Sequence, residues 1–176
     1  MIRPLVLVGA LALLAGCASE PPSSMTQSGM AMSAGDYVTA AAEADQFEIQ
    51  EGQLAATRAQ GPKLRDFGQM MVRDHTATSQ ALAAAAARSG LGAPPTALRS
   101  EQQQMLDKLQ AAKGADFDRL YLSQQVQAHQ EALSLQTAYA DGGADSNLKS
   151  AAIAAVPVIR RHLDLVRQLS TSPGGS

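Results

Sequence analysis

Tryptophan is absent from this chain, aromatic residues make up only 3% of it, and cysteine occurs once, at Cys17. So few rings argue against a β-sandwich or barrel, whose strands draw on aromatic and β-branched residues. A lone cysteine excludes an internal disulfide. Charge is scarce at 17% and nearly balanced, with 14 basic against 16 acidic side chains and a net charge of −2. Nothing in that balance favours nucleic acid, which is held through a strongly basic surface. Histidine is rare too: His75, His129 and His162 are the only three. What remains is 176 residues, 45% hydrophobic and rich in Ala, enough for one helical domain with appendages.

The first 16 residues read as a secretory signal, with Arg3 at its positive start and an apolar run from Leu5 to Ala15. That run is too short to cross a bilayer, which takes roughly 20 residues as a helix. It closes on Leu14-Ala15-Gly16-Cys17, which resembles the lipobox of bacterial lipoproteins. The resemblance implies that Cys17 is lipidated and becomes the first residue of the mature chain. It also implies a membrane anchor, and the Ala18 that follows suggests the periplasmic face of the outer membrane. Loss of Arg3 with the signal leaves 13 basic against 16 acidic residues, a net charge of −3. Residues 17–35, with Pro, Ser and Gly and no periodicity, form a flexible tether. Met25, Met30 and Met32 lie in it; soft sulfur can bind Cu(I), but a low-complexity linker is the preferred reading of them.

Residues 36–170 carry the domain. Asp36 is placed to cap a helix to about Gln60, and Gly61-Pro62 turns the chain into a second helix that stops before Gly90. In that helix Leu64, Phe67, Met71, His75, Thr78, Leu82 and Ala85 recur every three or four residues. Asp66, Gln69, Arg73, Thr76 and Gln80 follow half a turn away, so one stripe is buried and one wet. Thr96 is placed to cap a short helix to about Ala112, and Asp116 a long one to about Ala140. Gly142-Gly143 then turns into a last helix from Ser146 to Leu169, where Pro157 should introduce a kink. Residues 171–176 form a disordered tail. Long amphipathic helices joined by short turns predict an all-α, antiparallel four-helix bundle with a short extra helix in the middle connection.

Each long helix places one ionisable residue in its apolar stripe: Glu48, His75, His129 and His162. Glu48 lies 13 residues before Gly61 and His75 lies 14 after it, so at about 1.5 Å per residue they share a level. By the same rule His129 and His162 differ by about 7 Å, less whatever the turn consumes. Three imidazoles and a carboxylate at one level are a ligand set for a single Zn, Fe, Cu or Mn ion. Tyr121, Gln125, Asp74 and Met71 stand close enough in register to support it. A metal-free polar network in which Glu48 accepts from imidazoles satisfies the same pattern. Both readings stay open. No nucleophile, phosphate loop or other catalytic constellation is present, which disfavours an enzyme.

The segments AAEADQFEIQEGQLA, LRDFGQMMVRDHT, QQVQAHQEAL and VPVIRRHLDLV resemble a family of bacterial envelope proteins with a ferritin-like helical domain of unknown function. The resemblance runs from about Asp36 to Leu169 and implies a ferritin-like bundle with no established activity. Two-metal ferritin-like sites use Glu-x-x-His pairs, because residues three apart share a face. Here Val72, Val126 and Ile159 stand three before the histidines, so di-iron chemistry does not carry over. The two functional expectations are a single-ion envelope module and a metal-free envelope module that binds a partner or contributes to stress tolerance.

Overall fold

The computed structural model describes residues 32–171, which contain five helices and no strand. They are α1 (Ala34–Arg58), α2 (Pro62–Arg88), α3 (Ser100–Ala111), α4 (Gly114–Gly142) and α5 (Ser146–Thr171). The signal, Cys17, Met25, Met30 and residues 172–176 lie outside the described residues. The four long helices form a closed ring in which α1 packs on α2 and α4, and α5 on α4 and α2. The short α3 lies against α1 and α4 on the outside. The expected bundle with its extra helix in the middle connection is the observed architecture.

Helix ends differ from expectation where a neighbour outcompetes the expected cap. Ser33, not Asp36, caps α1: its hydroxyl accepts from the Asp36 amide at 3.1 Å and donates to the Asp36 carboxylate at 2.6 Å. This side-chain cap starts the helix two residues earlier and draws residues 34 and 35 out of the tether. Thr96 caps nothing; α3 starts at Ser100, because the Gln102 side chain turns back to accept from the Arg99 amide at 3.3 Å. The helix expected from Asp116 opens at Gly114, whose φ of 56° suits glycine. At the other end α5 runs through Pro157 to Thr171, so residue 171 belongs to the helix rather than the tail.

Two apolar clusters fill the ends of the bundle. One holds Tyr37, Leu82, Tyr139 and Leu148, with the Tyr37 and Tyr139 rings stacked 3.7 Å apart. The other holds Leu64, Phe67, Met71, Phe117, Tyr121 and Val166. Asp45, Glu48, Glu51, His75, Gln125, His129 and His162 fall between them in sequence and make a middle zone that is buried but polar. The α1–α2 hairpin is exceptionally close beside that zone. A Cβ on Gly68 would stand 2.7 Å from the Ala56 nitrogen and 2.8 Å from the Gly52 carbonyl oxygen. Both glycines are required by this approach, which sets α1 tightly against the histidine-bearing face of α2.

Candidate metal centre

His75 on α2, His129 on α4 and His162 on α5 are brought to one point, each no more than 2% exposed. Their ring centroids are 5.3 to 5.6 Å apart. One ring nitrogen of each lies within 4.8 Å of the other two. The shared level read from the turns is therefore realised for all three histidines.

The outward nitrogen of every ring is committed to an acceptor. His75 Nδ1 meets Asp45 Oδ1 at 2.8 Å, His129 Nδ1 meets the Gln125 carbonyl at 2.9 Å, and His162 Nε2 meets Asp74 Oδ2 at 2.9 Å. A backbone carbonyl can only accept, so the Nδ1 of His129 carries the proton and its Nε2 is bare. The carboxylates impose the same logic on the other two rings. The remaining nitrogens, His75 Nε2, His129 Nε2 and His162 Nδ1, are buried with no hydrogen-bond partner among the described residues. A buried polar atom left unpaired costs about 1–3 kcal/mol. Three lone pairs aimed at one another are thus a costly arrangement that a cation resolves.

The donor set fits an ion. A tetrahedral site with bonds of about 2.0–2.1 Å spaces its nitrogens roughly 3.3 Å apart, so these three need to close by at most about 1.5 Å per pair. Two formal negative charges, on Asp45 and Asp74, sit directly behind the rings and would balance a dication in a dry interior. Burial pulls His129 and His162 down to about 3, which keeps both neutral at physiological pH. Burial acts the same way on His75, but its bond to Asp45 and the charges of Glu48, Asp45 and Asp74 outweigh it and raise that ring above its ordinary value.

Of the other expected site residues, Asp74 is the outer partner of His162 and is also held by Arg161 at 2.7 Å and Arg73 at 3.0 Å. Burial alone would raise the Asp74 carboxyl, yet the His162 bond and these cations hold it below its usual range. Gln125 serves twice, through its carbonyl to His129 and through its amide to Glu48 at 2.6 Å and Glu51 at 3.0 Å. Glu48, expected as the fourth ligand, places Oε1 3.4 Å from the Nδ1 of His129 and is not among the groups that converge with the three rings. Burial lifts its carboxyl to about 7. Tyr121 is fully buried with its hydroxyl unpaired, near the charges of Glu48 and Glu51. Met71 packs in the apolar cluster with Phe67 and Tyr121.

Asp45 is the residue of this centre that sequence reasoning does not reach. Its spacing of three from Glu48 put both on one side of α1, but the partner across the α1–α2 contact was not visible. Asp45→Asn should weaken ion binding about 10- to 100-fold while the bundle still folds, checked by competition against a chelator of known affinity.

The fold has a solved counterpart in a structure described as CopM in the Cu(II)-bound form. The likeness has a TM-score of 0.69 at 16% identity and covers 80% of this chain and 97% of that one. No curated protein matches the chain significantly. The profile of the family "Domain of unknown function (DUF4142)" matches residues 19–169, nearly the whole sequence, and the protein belongs to that family.

Proposed function

We propose that the protein binds one divalent transition-metal ion through His75 Nε2, His129 Nε2 and His162 Nδ1, and that it sequesters or senses that ion. The observation that carries this reading is the convergence of three bare, buried nitrogens whose opposite nitrogens are each fixed by an acceptor. Three imidazoles without thiolate favour Cu(II) or Zn(II) over hard, oxygen-seeking ions. The likeness to CopM, described in a Cu(II)-bound form, supports copper as the first ion to try. Asp45, Asp74 and the Gln125 carbonyl orient the rings, and Glu48 stands behind His129 as an outer carboxylate. Lipidation at Cys17 would place the domain at the cell envelope, in keeping with the lipobox-like Leu14-Ala15-Gly16-Cys17.

Untagged protein stripped with a chelator should take up one equivalent of Cu(II) or Zn(II) by calorimetric titration. Absence of saturable binding at one equivalent overturns the reading. Burial keeps His129 and His162 in the neutral, ligating form near neutral pH, whereas at His75 the bond to Asp45 and the nearby carboxylates outweigh burial and raise the pKa, so protons compete with an ion first at His75. Affinity should therefore fall as the pH is lowered. Repeating the titration at successively lower pH checks this directly.

A metal-free scaffold role is favoured by one observation only. The outer bonds from His75 to Asp45 and from His162 to Asp74 tie α1 to α2 and α2 to α5 without any ion. On that reading the histidines matter for stability, and removing one would lower the melting temperature of the metal-free protein.

A further inference from the structure

An ion bound at this centre has to reach three nitrogens that solvent does not touch. Two cavities flank it. The first, about 270 Å³, is a groove between α2 and α5 with Ala77, Ala81, Ala151 and Ala154 along it and Asp45 and Asp74 in its lining. The second, about 170 Å³, lies between α1, α3 and α4 and reaches Glu48.

The two differ in what they offer a cation. In the groove, the Asp45 and Asp74 side chains are 13% and 14% exposed, and each is bonded to an imidazole of the centre. They are the groups in contact with both solvent and the site. The residues along the groove are small, and Ala77, Ala81 and Ala154 are exposed. In the second cavity Glu48 is 1% exposed, and the solvent-facing carboxylate, Glu131, is already paired with Arg99 at 2.9 Å.

We propose that the α2–α5 groove is the port through which the cation reaches the three-histidine centre, with Asp45 and Asp74 as its first oxygen contacts. This rests on the reading of the centre as a metal site. The same carboxylate oxygens that would meet the ion accept the outer N–H groups of His75 and His162. An ion held there competes for those oxygens, loosens the two rings and lets them turn their bare nitrogens to it. Their centroids are 5.3 Å apart, so a dehydrated ion passes between them only after such a swing. Arg161, half-exposed and 2.7 Å from Asp74, lies across this route as a cation that the incoming ion displaces.

The test is stopped-flow loading of metal-free protein with Cu(II), followed by its ligand-field absorbance, with equilibrium affinity measured in parallel. Ala77→Phe and Ala154→Phe, at exposed positions, should slow loading at least about tenfold while Kd stays within about twofold, since uptake and release slow together. Arg161→Gln should speed loading, most visibly at low salt. Ala128→Phe, in the other cavity, should leave the rate unchanged. Normal loading in both groove variants, or slowing by Ala128→Phe instead, overturns the port. Failure of the wild-type protein to load at all overturns the metal reading and the port with it. Saturable binding with insensitive rates overturns the port alone.

Discussion

Replacing His129 by leucine should abolish stoichiometric ion binding while leaving the metal-free bundle at least as stable as the parent. Loss of one of three ligands should weaken binding by at least about a thousandfold, which is ~4 kcal/mol. An ion present at a thousand times its Kd stabilises the fold by about 4 kcal/mol, or roughly 10 °C for a domain of this size. The variant should lose that entire rise. Its metal-free form sheds a buried, unpaired nitrogen, which costs about 1–3 kcal/mol in the parent. Leucine fills a comparable volume, and an apolar cluster of Ala132, Leu133 and Ile159 follows one turn along α4 and precedes His162 on α5. Calorimetric melting with and without Cu(II) separates the two readings of the centre. A large loss of metal-free stability would mean that the histidines are a structural network, and the ion-binding proposal would fail.

Gly68→Ala should destabilise the bundle by forcing α1 away from α2. A methyl at that position would sit 2.7 Å from the Ala56 nitrogen, 2.8 Å from the Gly52 carbonyl and 2.9 Å from the Ala55 Cβ. Two of those atoms are helical backbone, so no rotamer change relieves the clash and α1 must move off α2. Overpacking of this kind costs typically 1–3 kcal/mol. Alanine in place of a helical glycine returns about 1 kcal/mol. The net expectation is a loss of up to about 2 kcal/mol, with a fall in melting temperature of up to roughly 8 °C. Gly52→Ala meets the Gly68 carbonyl at 2.9 Å and the Met71 Cβ at 3.0 Å. It probes the same contact, so the double variant should cost less than the sum. Separation of the helices also pulls Asp45 from His75, and ion affinity should fall with stability. A variant as stable as the parent would show that the hairpin has slack.

The four inward stripes were legible in the letters because a helix buries one side every 3.6 residues. His75, His129 and His162 sit on those stripes, and Gly61 and Gly142-Gly143 set the heights at which they meet. That reasoning identifies which residues point inward and roughly how deep, and here it was enough to gather the histidines. It says nothing of which atom of a side chain faces which neighbour. Glu48 shares the histidines' level but points its carboxylate at the far edge of His129 and at Gln125. Asp45 and Glu51, which the stripe does not single out, are buried and engaged. Helix ends were misplaced for a similar reason, since Ser33 and Gln102 win their caps by side-chain hydrogen bonds that spacing alone does not rank.

Taken alone, the sequence determined the helical class, the inward faces and the convergence of three imidazoles, because each follows from periodicity and chain length between turns. Only the tertiary structure decided which nitrogens are bare, which carboxylates hold the rings and where solvent reaches them. Those depend on side-chain torsions and on how closely α1, α2 and α5 pack, quantities set by contacts between helices rather than within any one of them.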